Sequence, residues 1–227
     1  MTRVPQRTGF SGPKLLRLLA SLSDAGTSTR VTSSLSAVMS QWLDWTDAIA
    51  LSTALNGNPP ATQPGAPARP AIGDAAGTHV RAMLSAAILG QGTSPDSRRR
   101  MVARPAASDP GETEFAVHRQ RYIALQQQME REIAGLRARL RAALATRSPR
   151  AARLAMLDGV MEQVLGAREL AVLAAVPGML EPHFTKLRDA EGAWLNVFRK
   201  DMQSVLLAEL DIRFQPVEAL LAALREN

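Results

Sequence analysis

No proline interrupts the chain between Pro110 and Pro149, and across that interval Phe115, His118, Tyr122, Leu125, Met129, Ile133, Leu136, Leu140 and Leu144 recur every three or four residues. A period near 3.6 with no helix breaker predicts one amphipathic helix over about 110–146, roughly 50 Å long at 1.5 Å per residue. Asp109-Pro110-Gly111-Glu112 reads as its capping box. A helix of this length with one apolar face is stable only against partners, so the downstream chain has to fold back on it.

Ser148-Pro149 is a cap followed by a first-turn proline, which turns the chain at Thr146 to Ser148 and opens a second long helix over 149–176. Its stripe is Leu154, Leu157, Met161, Val164, Leu165, Ala171 and Val172, and Pro177-Gly178 is expected to stop it. A third long helix, over 182–214, carries Phe184, Leu187, Trp194, Leu195, Phe198, Met202, Val205, Leu206 and Leu210. Pro216 then opens a short terminal helix with Val217, Leu220, Leu221 and Leu224. Connections of a few residues between long amphipathic helices predict an all-α, antiparallel, coiled-coil-like bundle of three long helices.

Upstream, residues 1–56 hold shorter helices. Leu15, Leu18, Leu19 and Leu22 form one face after Pro13, while Leu35, Val38, Met39, Trp42, Trp45, Ile49 and Leu55 form another. The basic start resembles a targeting peptide only superficially, since Arg17 interrupts its apolar run, and it reads as a surface helix. Residues 57–108 are rich in Pro, Gly and Ala and are expected to be a flexible, disordered linker broken by one helix at about Ala75 to Leu89. The reading therefore divides the chain into 1–56, 57–108 and 109–227. Aromatic residues make up only 4% of the chain, which suits helices better than sheets.

Several functions find no support. The chain has no cysteine, so thiolate chemistry and disulfides are absent. Of the three histidines, His118 follows Glu114 by four residues, a spacing compatible with acid-base or metal work but short of a full ligand set. Glu181-Pro182-His183 is explained as a helix start. No phosphate loop, zinc motif or nucleophile elbow is present, so no enzyme, metal or cofactor is expected. The apolar stretch Leu170 to Leu180 is broken by Pro177 and Gly178, which argues against a membrane span.

Two features point to binding. Trp42 and Trp45 share a helical face and Asp44 and Asp47 share another, so the four are the candidate protein-binding residues, with core packing of both rings as the plainer account. Between Glu132 and Asp158 lie six arginines and no acid, in a chain of net charge +6. Of these, Arg137, Arg141, Arg147, Arg150 and Arg153 are the candidate anion-binding residues of a positive helix-turn tip. Such a tip could bind nucleic acid or an anionic surface, or it could be a solvated face beside a helix carboxyl end. A further basic cluster, Arg98 to Arg100, lies on the linker. The leading expectation is a non-enzymatic helical adaptor or scaffold with a protein partner, compatible with self-association; the alternative is the nucleic-acid or anionic-surface binder.

Three segments, residues 41–52 (Gln41-Trp42-Leu43-Asp44-Trp45 through Ser52), 121–130 (Arg121-Tyr122 through Glu130) and 207–218 (Glu209-Leu210-Asp211-Ile212-Arg213-Phe214-Gln215-Pro216-Val217-Glu218 at its end), resemble an uncharacterised bacterial, proteobacterial family, a domain of unknown function. The resemblance implies a cytoplasmic bacterial protein and an envelope-associated partner. It supplies no activity, cofactor or catalytic residue.

Overall fold

The computed structural model describes residues 13–23, 45–57, 73–90, 113–190 and 192–226. They are all-α, with no strand among them: α1 (Lys14–Leu22), α2 (Trp45–Asn56), α3 (Asp74–Ile88), α4 (Phe115–Ala145), α5 (Pro149–Ala174), α6 (Val176–Met179), α7 (Glu181–Arg188) and α8 (Trp194–Glu226). Trp42, Asp44, Arg98 to Arg100, the stripe Leu35-Val38-Met39 and the capping box at Asp109 lie outside the described residues.

Helix α4 begins at Phe115 and buries His118, Tyr122, Gln126, Met129, Ile133, Leu136, Leu140 and Leu144, a spacing of threes and fours that keeps one face inward. One position departs from the expected stripe: Gln126 is buried where Leu125 is only partly so. The turn after α4 follows expectation. Ser148 caps α5, its hydroxyl accepting the Ala151 amide at 3.1 Å, and Pro149 occupies the first turn, where its missing N–H is not needed. Replacing Ser148 with Ala is expected to destabilise by about 1 kcal/mol and lower Tm by about 2–4 °C, read by thermal circular dichroism.

The rest of the chain corrects the expected helix limits. Helix α5 ends at Ala174, two residues short of the expected limit and just ahead of Pro177. Pro177 sits in the first turn of the short α6, where no intrahelical donor is lost, and α7 follows directly. A further break, not expected, falls between α7 and α8, where Gly192 adopts φ +115°, a conformation open to glycine. The expected helix over 182–214 is therefore two helices, ending at Arg188 and restarting at Trp194. Pro216, expected to begin a separate helix, lies inside α8. It withholds one N–H, but Leu210, Phe214, Val217, Leu221 and Leu224 keep a common inward phase across it, so burial on both sides holds one continuous helix.

The core is one cluster drawn from α1, α3, α4, α5, α7, α8 and the α5–α7 connection. Leu15 and Leu19 of α1 and Val80, Leu84 and Ile88 of α3 join it, so the helix within the Pro-rich stretch is part of the packed body. Gly77 lets α3 approach α8 closely, since a Cβ there would lie 2.5 Å from Leu221 Cδ1. Gly90, at φ +73°, ends α3 in the left-handed conformation expected after a helix. Arg81 ties the same pair of helices, reaching Asp211 at 2.5 Å and also Glu218, with its guanidinium 5.4 Å from the centre of the Phe214 ring. Arg225 adds a 3.0 Å ion pair to Asp74.

Candidate protein-binding surface

Helix α5 is the least covered of the long helices. Only Ala151, Ala155 and Leu173 are fully buried, and two of them are alanines whose small side chains let α4 pack close. The stripe expected to face the core is half-buried at Leu157, Met161, Val164 and Leu165, while Leu154 is 38% exposed and Val172 55% exposed. The physical reason is that α5 carries more apolar positions than α4 and α8 can cover. Hydropathy patterning shows which residues are apolar, but not how many neighbours they have.

Helix α2 covers part of the remaining surface. Asp47 pairs with Arg168 at 3.8 Å, and the Gly57 Cβ position lies 3.9 Å from Met156 Cε, so α2 runs antiparallel along α5. Helix α2 is itself poorly covered: only Ala54 is buried, and Trp45 is 80%, Ile49 50% and Leu55 64% exposed. Core packing, the plainer account of the tryptophan segment, therefore fails for Trp45. Asp47, expected to await a basic partner, already meets an arginine of its own chain.

Beside α2 the surface is concave. One hollow of about 350 Å³ lies between α5 and the last turns of α8, floored by Leu157, Met161, Leu165, Ala219, Leu220 and Ala223. A second, of about 310 Å³, lies between α4 and α5 above Arg213. Arg137, Glu162, Gly166 and Glu169 line both, so the two form a single furrow.

Two ionic assemblies fix its walls. Across the α4–α5 hairpin, Arg137 donates to Asp158 at 2.8 Å and lies 3.2 Å from Glu162, while Arg141 reaches Asp158 at 2.8 Å and Glu162 at 2.7 Å. Burial works against the charged form of Arg141, but its hydrogen bonds to Asp158 and Glu162 outweigh that and raise its pKa above the ordinary arginine value. Under the furrow, the fully buried Glu209 accepts from Tyr122 Oη at 2.8 Å, from Gln126 Nε2 at 3.0 Å and from Arg213 Nε at 2.8 Å. Gln126 Nε2 also donates to the Leu173 carbonyl at 2.9 Å, joining α5 to the network. Burial, then the negative charge of Glu209, pushes the Tyr122 phenol far above its usual range, so it remains a donor. Sequence reading missed this network because its acid and amide are 83 residues apart.

The five arginines of the expected tip do not form one open cluster. Arg137 and Arg141 are committed to Asp158 and Glu162, and Arg147 donates to the Leu224 carbonyl near the carboxyl end of α8, where a cation is favoured. Arg150 and Arg153 are exposed on the first turns of α5. His118 is not a surface residue paired with Glu114. It is buried with ring centroids 5.2 Å from Phe198 and 5.7 Å from Phe184, while Glu114 is exposed at the start of α4. His183 hydrogen-bonds Asp201 at 2.8 Å, fastening α7 to α8.

Together these features define a class: an all-helical protein with an open apolar flank and, among the described residues, no group of three or more side chains able to hold a metal ion. Residues 1–226 match the family model described as a protein of unknown function (DUF3348), and the chain belongs to that family. No curated protein matches it, and neither does any solved structure.

Proposed function

We propose that the protein is a non-enzymatic helical adaptor that binds another protein through the face formed by α2 and α5. The observation that carries this is where large apolar side chains stay exposed. Trp45, Ile49 and Leu55 on α2 join Leu154, Val172 and Met179 on α5 and α6, a concentration that soluble surfaces rarely leave without a partner. An exposed tryptophan is the residue type most often found at the energetic centre of an interface.

The scaffold under this face is, in the same proposal, an up-down-up bundle of α4, α5 and α8. It is supported by the Gln126–Leu173 bond between α4 and α5, and by α4 meeting α8 in step at Phe115–Phe198, Tyr122–Glu209 and Arg147–Leu224. The stretch Pro149–Arg188 has the length and mean hydropathy of a membrane span, with 22% of its most apolar 18-residue window buried. The ion pairs of Asp158 and Glu162 with α4, and of Arg168 with α2, support a packed protein surface instead. The anionic-surface alternative rests on fewer groups, since Arg137 and Arg141 have acidic partners within the fold.

Crosslinking in living cells followed by capture tests the adaptor reading. Trp45→Ala is expected to weaken partner binding about thirty-fold or more, as for an interface hot spot of about 2 kcal/mol. Because the ring is exposed, stability should change by no more than about 0.5 kcal/mol. Unchanged capture by the stable variant would remove this face from the interface.

A further inference from the structure

Resting on the adaptor reading, we propose that the furrow over α5 is the seat of a basic amphipathic helix from the partner. Its shape suits a helix better than a compact ligand. Along α5 the lining runs from Leu154 to Leu170, about 24 Å at 1.5 Å per residue, or more than four helical turns. Its floor is apolar where α5 faces α8, at Leu157, Met161, Leu165 and Leu220. At two places the floor is small: Ala219 and Ala223 carry only methyl groups, and a Cβ built on Gly166 meets nothing within 4 Å. Small side chains at a crossing let a second helix axis come within about 8–10 Å.

The charges choose the kind of helix. Glu130, Asp158, Glu162 and Glu169 line the furrow together with Arg137 and Arg213. Arg137 and Arg141 balance Asp158 and Glu162, and Glu209 balances Arg213, so the charge left uncompensated is that of Glu130 and Glu169. Glu130 and Glu169 line the α4–α5 hollow and have no ion pair among the described residues. A chain of net charge +6 thus presents an acidic apolar furrow, complementary to a helix with leucine-like residues at spacings of three and four and Lys or Arg beside them.

The test uses the full chain and two labelled peptides of about 18 residues, long enough to span the furrow as helices. One is a Leu/Lys amphipathic sequence and the other has Glu at every Lys, with binding read by fluorescence anisotropy at low and high salt. The Leu/Lys peptide is expected to bind about ten-fold or more tighter, with Glu130→Gln plus Glu169→Gln erasing most of that preference. Gly166→Leu fills the open space, favours the helix locally and is expected to weaken the Leu/Lys peptide about ten-fold, with circular dichroism confirming an intact fold. Equal affinity for the two peptides overturns the proposal, as does full binding to Gly166→Leu. Loss of peptide binding in Trp45→Ala but not in Gly166→Leu also overturns it, by moving the contact to α2. If cellular crosslinking still captures a partner through Trp45 while neither peptide binds, the furrow proposal falls and the adaptor reading stands.

Discussion

Glu209→Ala is expected to destabilise the protein by about 3–5 kcal/mol, the usual consequence of removing one member of a buried ion pair. The size reflects the groups that the carboxylate leaves behind. Arg213, with only 7% of its side chain exposed, would keep its charge without a counterion, and the Tyr122 hydroxyl would lose its acceptor. Gln126 would retain only the Leu173 carbonyl. Urea unfolding followed by circular dichroism reads the loss directly. Most of it should return when Arg213 and Glu209 are both replaced by Met and Tyr122 by Phe, because the stranded charge and hydroxyl are then gone and one Gln126 N–H is the lost partner that remains. A loss below about 1 kcal/mol in the single variant would show that water already reaches this carboxylate. The consequence reaches the surface: Arg213 lies at the base of the α4–α5 hollow, and Gln126 holds α5 to α4 beneath it. Loosening Glu209 should therefore weaken the furrow peptide as well as the fold.

How much of this could be read from sequence depends on how local each cause is. Helix α4 was legible because its signal repeats over eight turns, and the α5 start because Ser148 and Pro149 act within one turn of themselves. The Gly192 break and the continuation through Pro216 were not, since each is decided by whether distant side chains stay in phase with the core. Gln126 illustrates the same limit. Counting apolar residues favours Leu125, and only the presence of Glu209 on α8 makes an amide the better inward residue. The pairing of Arg137 with Asp158 was within reach, since a hairpin turning at Arg147 brings position 137 opposite 157; the pairing of Arg141 with Glu162 was not, because the same turn places 141 opposite 153. Trp45 lay beyond any such inference, because an exposed apolar stripe and a buried one have the same period.

Phe198→Ala should be comparably damaging, by about 3–5 kcal/mol, but through a cavity instead of a stranded charge. The ring is fully buried where three helices meet, with centroids 4.9 Å from Phe184, 5.2 Å from His118, 6.2 Å from His183 and 6.4 Å from Phe115. Deleting it removes apolar area and leaves neighbours on α4 and α7 facing an empty volume they cannot fill without leaving their rotamers. Phe198→Leu keeps much of the volume and should lose less than half as much. The two large effects are separable by where they act. Short α7 reaches the body through Phe184 and the His183–Asp201 bond, both beside Phe198, so amide exchange in α7 should accelerate first in Phe198→Ala. In Glu209→Ala the acceleration should instead centre on the middle of α8 and the α5 turn bearing Leu173. Because Phe198 does not line the furrow, Phe198→Ala should keep the peptide affinity of the folded fraction, whereas Glu209→Ala should not. Hydrogen exchange and peptide titration on the two variants together would show whether the binding face depends on the buried carboxylate or only on the fold being intact.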